Sequence, residues 1–310
     1  MEPAARDNLK LAVSAILGAC FALSLGDALI RQQSTSFVIW QIFVMRSVIV
    51  IPFLIYFVRL QSCAVSIKPE QPRWTLLRSL LLVLMWIFYF AALPHIELAT
   101  AAAAYYTLPI FITLFAAIFL GESITARGWF ALLLGFIGTL LILQPQADDF
   151  NAYALLPLLA AVCYAGAMIL TRSKCRYEKP TVLGLWLNVA FFGAGAAASL
   201  VLYLWNPGTE TVDSNPFLLG AWRPMWLDQW RIMAILAVAI LVGSVSAAFA
   251  YQKAPSSIVA IFDFAYVAFA VIWGFLLFSE VPQPLVAMGI VAIVIAGIIA
   301  TLQKSSPVKA

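Results

Sequence analysis

Long apolar stretches separated by short polar breaks dominate the pattern of hydrophobic and polar positions along the chain. A helix that crosses a bilayer needs about 20 consecutive apolar residues, and ten stretches reach roughly that length. They cover approximately residues 10–30, 37–59, 74–93, 97–120, 124–143, 152–171, 181–205, 230–252, 256–279 and 284–302. The pattern predicts an all-α integral membrane protein with ten transmembrane helices joined mostly by short connections.

Composition agrees with this fold class and excludes several kinds of chemistry. The 310 residues are 64% hydrophobic and only 10% charged, against roughly 25% charged residues in ordinary soluble domains. The chain has one histidine, His95, and its four cysteines form no C-x-x-C pair, so the usual zinc and redox motifs are missing from the sequence. It also contains no G-x-x-x-x-G-K-[ST] phosphate-binding loop. We therefore expect no metal, no cofactor and no nucleic-acid partner.

The distribution of basic residues predicts the orientation in the membrane. Ten spans place both termini on the same side. With cytoplasmic termini, the inner segments hold fourteen of the eighteen Lys and Arg residues, Arg78 among them, the outer segments hold three, and Arg46 lies within a span. Basic residues favour the cytoplasmic side, so cytoplasmic N and C termini are predicted. The long segment at about 206–229 then lies outside, either as an interfacial segment anchored by tryptophans or as a substrate lid.

Two stretches of the sequence repeat at an offset of 158 residues. Residues 101–122 read AAAAYYTLPIFITLFAAIFLGE, and residues 259–280 read VAIFDFAYVAFAVIWGFLLFSE. Each ends in a small residue followed by Glu, and a glycine-bearing last helix follows each. The offset divides the chain into two five-helix halves, 1–146 and 150–310. Because five is odd, the second half is expected to enter from the opposite side, which gives inverted repeats around a central cavity near the midplane.

Ten spans in two five-helix halves, each with Gly-Glu or Ser-Glu before a glycine-bearing helix, resemble the EamA-type transporters of the drug/metabolite transporter superfamily. The resemblance covers almost the whole chain. Arg46, in FVIWQIFVMRSVIVIP, resembles the arginine that these proteins often carry in the second helix, whereas the seventh helix has Asn188 and no arginine. Within the superfamily the chain is most similar to bacterial exporters of aromatic and other amino acids. The resemblance implies a bacterial inner (plasma) membrane transporter that works by alternating access.

Asp263 interrupts an apolar helix, and a charge at the centre of the bilayer costs at least ~2.5 kcal/mol. An intramembrane carboxylate indicates a functional site, and the repeat pairs Asp263 with Tyr105. Three roles are open: an ion pair with Arg46, binding of a substrate ammonium, and transfer of a coupling proton. Arg46 lies ~14 Å into its span. It is expected either to hold the α-carboxylate of an amino acid through bidentate hydrogen bonds or to tie helices together.

Aromatic residues in the spans expected around the cavity complete the candidate substrate site, although any one of them can serve packing or lipid contact instead. Aromatic walls suit bulky apolar or cationic ligands. Pro109 is expected to kink the fourth span and make it a gate. Asp27 is expected at a solvated rim, and Glu122 and Glu280 are expected to cap the helices that follow them. With Arg46 and Asp263, the candidate substrate-binding residues are Phe21, Trp86, Tyr89, Tyr105, Tyr106, Tyr164, Trp186, Asn188 and Phe262.

The predicted function is that of a secondary transporter that exports amino acids, with aromatic and other apolar ones favoured. Its expected partners are the small-molecule substrate and membrane lipid; proton coupling is left open, and the protein is expected to be a monomer. The alternative within transport is an exchanger of phosphorylated metabolites or nucleotide sugars. Such a site needs several cations, whereas only Arg46 is expected to lie deep. An intramembrane enzyme is the remaining alternative, and the single histidine disfavours it. The export direction comes from the resemblance alone.

Overall fold

The computed structural model describes residues 8–33, 36–61, 67–92, 95–96, 98–145, 152–279 and 283–302, and helices joined by short turns account for most of them. Ten spans are long and apolar enough to cross a membrane, which confirms the predicted fold class. The helices are α1 Leu9–Gln33, α2 Ile39–Gln61, α3 Pro72–Ala92, α4 Leu98–Tyr105, α5 Leu108–Leu120, α6 Ala126–Leu143, α7 Leu155–Ser173 after a 3-10 turn at Ala152–Ala154, α8 Pro180–Trp205, α9 Thr209–Ser214, α10 Pro216–Leu219, α11 Leu227–Lys253, α12 Ser256–Asp263, α13 Ala265–Phe278 and α14 Pro284–Thr301.

Two of the spans are interrupted within the membrane. The fourth span consists of α4 and α5, separated at Tyr106 and Thr107, and the ninth consists of α12 and α13, separated at Phe264. Pro109 lies in the first turn of α5 and has no backbone N–H to donate, so the fourth span breaks where the proline predicts. The ninth span breaks without a proline, directly after Asp263. Interrupted helices are tolerated at membrane depth where they are buried in protein or line a cavity.

The helix boundaries correspond at the offset of 158 residues. α4 and α12 begin and end 158 residues apart, as do α6 and α14. α5 and α13 are each followed by a residue in the left-handed conformation, Gly121 (φ 65°) and Ser279 (φ 57°). The packing agrees: α1 packs on α11 as α7 packs on α3, α1 packs on α13 as α7 packs on α5, and α2 pairs with α8 and α6 with α14. The division into two halves, 1–146 and 150–310, and their inversion stay predictions, with which this correspondence agrees.

The last helices of the two halves, α6 and α14, cross at a pair of glycines. A Cβ atom on Gly138 would lie 2.8 Å from the carbonyl oxygen of Gly289, and a Cβ atom on Gly289 would lie 2.5 Å from that of Gly138. Small residues let transmembrane backbones approach this closely. Because α6 and α14 pack mainly on each other, they act as a scaffold beside the helices that carry the buried charges.

Glu122 is a helix cap, but it caps a different helix from the predicted one. Its carboxylate accepts hydrogen bonds from the backbone N–H groups of Ser256 (2.8 Å) and Ser257 (3.0 Å) and from the Ser257 hydroxyl (2.5 Å). It therefore opposes the positive dipole end of α12, in the other half of the chain. α6, the helix that follows Glu122, is capped by the Thr125 hydroxyl. Glu280, predicted to cap in the same way, lies outside the described residues.

Candidate functional site

Two carboxylates lie within the bundle, and each accepts a hydrogen bond from a tyrosine on another helix. Tyr266 in α13 donates to Asp27 in α1. Tyr251 in α11 donates to Asp263, the last residue of α12. Asp263 is 6% exposed, and Tyr164 in α7 lies within hydrogen-bonding reach of the same carboxylate. The bundle therefore contains two separate carboxylate–tyrosine pairs.

The two pairs lie toward opposite ends of the bundle. Asp27 is six residues from the end of α1, which is ~9 Å, and Asp263 is seven residues from the start of α12, which is ~11 Å. The orientation in the membrane stays a prediction; with cytoplasmic termini, Asp27–Tyr266 is the outer pair and Asp263–Tyr251 is the inner pair, and "outer" and "inner" denote this predicted orientation throughout. The expectation of a solvated rim for Asp27 is wrong, because its carboxylate engages a tyrosine of the ninth span.

Arg46 is a buried cation in which two nitrogens lack a hydrogen-bond partner. It lies on α2 and is 3% exposed, and its Nε and Nη2 atoms have no acceptor. Its guanidinium carbon lies 4.8 Å from the ring centre of Phe191 and 5.5 Å from that of Phe43, and such cation–π contacts stabilise a cation only modestly. Within the described ranges no carboxylate lies at ion-pair distance from Arg46. The ion pair with Asp263, one of the three roles considered, is therefore not formed.

Arg46 and Asp27 line the same small cavity. They lie close enough to interact electrostatically without forming a direct ion pair. The cavity has a volume of about 10 Å³, which is room for about one water molecule. A substrate can therefore occupy this place only after the surrounding helices move apart. The rest of the wall consists of Leu23, Gly26, Ile30, Trp86, Leu236, Ala239 and Ile240.

A row of tyrosines lies between the two pairs. The ring of Tyr105 is 5.2 Å from that of Tyr89 and 5.4 Å from that of Tyr106, which is in turn 5.6 Å from Tyr266. The Tyr105 hydroxyl donates to the sulfur of Met85 at 3.6 Å, and Tyr105 interacts electrostatically with both Asp27 and Asp263. Three predicted site residues thus meet at the break of the fourth span.

Phe21 and Trp186 lie away from this row. Phe21 is 44% exposed, and its ring packs against Phe269 (5.4 Å) and Trp273 (4.9 Å) of the ninth span. Trp186 donates its indole N–H to the backbone carbonyl of Ile67 at 3.1 Å. In this conformation Phe21 packs on α13, and Trp186 ties α8 to the segment between α2 and α3.

Phe262 and Asn188 are buried, but neither lines the cavity that contains Arg46 and Asp27. A Cβ atom on Gly297 of α14 would lie 3.1 Å from the Phe262 ring, so Phe262 packs toward the scaffold helices. Asn188 is fully buried, and its amide nitrogen donates to the Gly184 carbonyl one turn earlier at 2.9 Å. Its Oδ1 has no hydrogen-bond partner. The structure therefore separates Phe262 from the charged cavity and leaves one polar atom of Asn188 unused.

Arg78 is a second buried arginine, assigned from the sequence to the inner segments. It lies six residues into α3, ~9 Å from the start of that helix, and it is 1% exposed. Its Nε donates to the Thr171 hydroxyl at 2.6 Å, whereas its Nη1 has no partner. The expectation that only Arg46 lies deep is therefore wrong.

The outer segment 206–226 lies across the outer ends of α2 and α3. Trp40 donates its indole N–H to a backbone carbonyl of α10 at 2.8 Å. The side-chain amide of Gln41 exchanges two hydrogen bonds, of 2.7 and 3.0 Å, with the backbone of Arg223. The Phe217 ring lies 5.3 Å from Phe90, which stacks on Trp86 at 5.1 Å. Aromatic contacts thus connect the outer segment to the cavity wall.

A short loop, residues 174–179, closes the inner end. Gln252 of α11 donates to the backbone carbonyls of Cys175 (2.6 Å) and Glu178 (2.8 Å). The Glu178 carboxylate accepts the backbone N–H of Gln71 at 2.6 Å. Burial raises the pKa of Glu178 above its ordinary value, and the Gln71 N–H acts in the opposite direction. The outer segment and this loop therefore hold the two ends of the bundle while the cavity is closed.

Comparison with known proteins gives the family. A model of the EamA-like transporter family matches residues 10–144. The chain is 30% identical over 292 residues to the pseudopaline exporter CntI of Pseudomonas aeruginosa, which covers 94% of this chain and 95% of that protein. It is 30% identical over 253 residues to a riboflavin transporter of Vibrio cholerae (80% of this chain, 76% of that protein). It is 26% identical over 196 residues to an S-adenosylmethionine uptake transporter of Rickettsia bellii (56% and 66%).

The fold is also found in a solved crystal structure. That structure aligns with a TM-score of 0.72 over 93% of this chain and 96% of its own, at 19% sequence identity. The named relatives are transporters of different small molecules and not enzymes. This chain belongs to the EamA-like transporter family of the drug/metabolite transporter superfamily and is a multi-pass membrane transporter.

Proposed function

We propose that this transporter exports amino acids, with aromatic and other apolar ones favoured, across a bacterial inner membrane. It works as a monomer by alternating access of two inverted halves, with both termini in the cytoplasm. A protein named as an exporter aligns with this chain over nearly its full length, which supports the direction. The excess of basic residues on the side of the termini supports the orientation.

The unpartnered guanidinium of Arg46 is the observation that carries the proposal. Its Nε and Nη2 atoms, which lack acceptors, form one edge of the planar group, and this edge can bind a carboxylate through two parallel hydrogen bonds. An uncompensated buried charge costs several kcal/mol. A substrate carboxylate offsets that cost while the two charges are enclosed together.

Asp27, across the same cavity, supplies the second charge that an amino acid requires. Among the described residues its carboxylate accepts a hydrogen bond only from the Tyr266 hydroxyl, and it has capacity to accept further hydrogen bonds. The α-ammonium of a zwitterion fits between Asp27 and the site where Arg46 holds the α-carboxylate. Trp86 lines this cavity, and Tyr89 belongs to the tyrosine row, with its ring 5.2 Å from that of Tyr105. These aromatic faces favour an aromatic or bulky apolar side chain.

Asp263 is the residue that carries the coupling proton in the proposed cycle. Within the described residues its carboxylate accepts a hydrogen bond from the neutral Tyr251 phenol, with Tyr164 nearby, and no cation lies at ion-pair distance. A buried carboxylate without a cation binds a proton readily. In the proposed cycle, a proton enters from outside, resides on Asp263 and leaves to the cytoplasm as one amino acid is exported.

Alternating access requires the two ends to open in turn. Opening outward separates the outer segment from α2 and α3, which breaks the contacts of Trp40, Gln41 and Phe217. Opening inward separates α12 from Glu122 and releases the loop 174–179 from α11. The breaks in the fourth and ninth spans lie between these ends, so the half-helices α4 and α12 can move separately from α5 and α13. In this cycle Pro109 marks a gate.

An exchanger of phosphorylated compounds is the rival within transport. The presence of Arg78 removes the earlier objection that only one cation lies deep. The arrangement still favours a zwitterion over a phosphate, because Asp27 shares the cavity with Arg46 and would repel a dianion. Arg46 and Arg78 also lie toward opposite ends of the bundle and do not form one cluster.

Efflux from proteoliposomes tests the proposal. Vesicles containing the purified protein are loaded with a mixture of amino acids, sugars and phosphorylated metabolites, and the released compounds are identified by mass spectrometry. We expect selective release of aromatic and apolar amino acids, and a loss of at least about 100-fold in Arg46→Gln, which corresponds to ~2.7 kcal/mol. Arg59→Gln, at the exposed inner end of the same helix, should keep the wild-type rate. Release of a phosphorylated compound with retention of all amino acids would contradict the proposal.

A further inference from the structure

Arg78 is a buried cation that the proposed cycle does not use. Thr171 accepts a hydrogen bond from its Nε at 2.6 Å and donates its own hydroxyl proton to the Ala167 carbonyl at 2.8 Å. Thr171 is therefore a neutral anchor that orients the guanidinium without compensating its charge. The side chain is 1% exposed, so bulk solvent does not compensate the charge either.

The remaining side of Arg78 has no anion. Its Nη1 atom is buried and has no hydrogen-bond partner, and in the part of the chain that the structure describes no carboxylate lies at ion-pair distance from it. A buried arginine without a counter-charge is costly within a membrane and marks a functional site by default. Arg46 has the same two properties, which makes the two arginines a matched set.

The surroundings of Arg78 place it beside the inner pair. Tyr164 interacts electrostatically with both Arg78 and Asp263. Arg78 is therefore linked to the inner carboxylate through Tyr164, whereas Arg46 interacts with the outer carboxylate directly. On α3, Arg78 is eight residues from Trp86, which lines the cavity of Arg46. Eight helical residues correspond to ~12 Å along the axis.

We infer that Arg78 is a second carboxylate-binding residue, which takes the substrate carboxylate when the transporter is open to the cytoplasm. The carboxylate then moves outward to Arg46 as the inner end closes. Arg46 and Arg78 lie toward opposite ends of the bundle, and an amino acid has one carboxylate, so the two sites are used in succession. The identity of the ligand as an amino acid rests on the proposed function, whereas the binding of a carboxylate by Arg78 does not.

Protection of Arg78 from phenylglyoxal, an arginine reagent, tests this inference without measuring transport. The reagent is added to inverted membrane vesicles, whose cytoplasmic face is exposed, and modification of each arginine is followed by mass spectrometry. We expect benzoate and L-phenylalanine to slow the modification of Arg78 at least about fivefold, and phenethylamine, which has no carboxylate, to leave it unchanged. Arg127, an exposed arginine at the inner end of α6, is the matched control and should not be protected.

Three results separate the alternatives. If Arg78 is not modified from either face, or if carboxylates do not slow its modification, it is a structural tie and the inference is overturned. Protection by benzoate supports the Arg78 site even if L-phenylalanine is not transported, in which case the proposed amino acid function alone fails. The wild-type protein is used throughout, so a folding defect cannot mimic any of these outcomes.

Sided kinetics give a second test. Arg78→Gln should raise the KM for L-phenylalanine at the cytoplasmic face at least about tenfold while the KM at the outer face changes less than about twofold. Arg78→Lys, which keeps the charge but not the planar geometry, should recover part of the affinity. An equal change at both faces, or no change at either, would overturn the inference.

Discussion

The outer and inner carboxylate–tyrosine pairs contain the same chemical groups but differ in what surrounds them. Asp27 shares a cavity with a cation, Arg46, and Trp86 lines the same cavity. Asp263 is held by Tyr251, with Tyr164 beside it, and the nearby arginine, Arg78, is bound to a threonine instead.

This difference explains how two similar carboxylates can have different tasks. At the outer pair a carboxylate lies beside an unpaired guanidinium. The carboxylate can bind the ammonium of a zwitterion and the guanidinium can bind its carboxylate, so the outer pair is suited to substrate recognition. A carboxylate held by neutral hydroxyls has no fixed cation to keep it ionised, so the inner pair is suited to exchanging a proton. The predictions below test whether the tasks divide in this way.

Loss of the outer carboxylate should have the largest effect. Asp27→Asn keeps the shape of the side chain but removes the charge that faces the substrate ammonium. Leaving that ammonium without a charged partner is expected to cost about 3 kcal/mol, which lowers efflux from proteoliposomes at least about 100-fold. Asp213→Asn, in the exposed outer segment, is the control and should transport normally. Wild-type efflux by Asp27→Asn would remove Asp27 from the substrate site.

Loss of the inner carboxylate should change coupling more than binding. In Asp263→Asn no proton can be carried, so efflux should no longer respond to a pH gradient, and efflux in the presence of that gradient should fall about tenfold. Exchange of labelled for unlabelled amino acid, which needs no net proton movement, should continue. The measurement is efflux and exchange with and without an imposed pH gradient. An unchanged response to the gradient would show that Asp263 carries no proton.

The two tyrosines should differ in importance. Tyr251→Phe removes a hydrogen bond from a carboxylate that has no cation, and a hydrogen bond to a charged group contributes about 1.5 kcal/mol or more. Tyr266→Phe removes the same bond where Arg46 remains nearby. We expect about a tenfold reduction in gradient-driven efflux for Tyr251→Phe, about threefold in efflux for Tyr266→Phe, and none for exposed Tyr203→Phe. Equal losses would contradict the division of tasks.

The smallest effect is expected at the inner end of α12. Glu122→Gln removes the negative charge that opposes the dipole of α12, an interaction of about 0.3–1 kcal/mol. The inner end should then open more readily. Cys20, whose thiol lies near the backbone carbonyls of Phe262 and Asp263 at the C-terminal end of α12, should be alkylated about twofold faster from the cytoplasmic face. Peptide mapping of Cys20 measures this, with exposed Glu210→Gln as the control. Slower alkylation would show that the carboxylate does not hold the inner end closed.

Much of the fold could be predicted from the sequence because apolar length alone defines a spanning helix. The ten spans, the break near Pro109 and the offset of 158 residues all follow from local pattern. The cap made by Glu122 did not follow, because its partner, Ser256, lies in the other half of the chain and only the folded packing brings them together. A capping carboxylate is visible in sequence; the helix that it caps is not.

The buried charges were predictable only where they stood out against an apolar run. Arg46 and Asp263 were singled out in this way and both are buried, and their roles at a substrate site stay a prediction. Asp27 lies in an apolar run as well, but its place near a helix end favoured a rim, and only the contact with Tyr266 shows otherwise. Arg78 was assigned with its neighbours to the inner segments, because a count of basic residues does not measure depth. In the structure it lies six residues into α3.

Competition by a substrate analogue that lacks the carboxylate tests the role of Arg46 without relying on a loss of function. Inhibition of L-phenylalanine efflux by unlabelled L-phenylalanine and by L-phenylalaninamide is compared in wild type and in Arg46→Lys, the variant that keeps the charge and is expected to retain measurable transport. The wild type should prefer the carboxylate at least about 100-fold, or ~2.7 kcal/mol, and Arg46→Lys should reduce that preference about tenfold or more, because an ammonium cannot bind a carboxylate through two fixed parallel bonds. An undiminished preference in Arg46→Lys would mean that the carboxylate is recognised elsewhere.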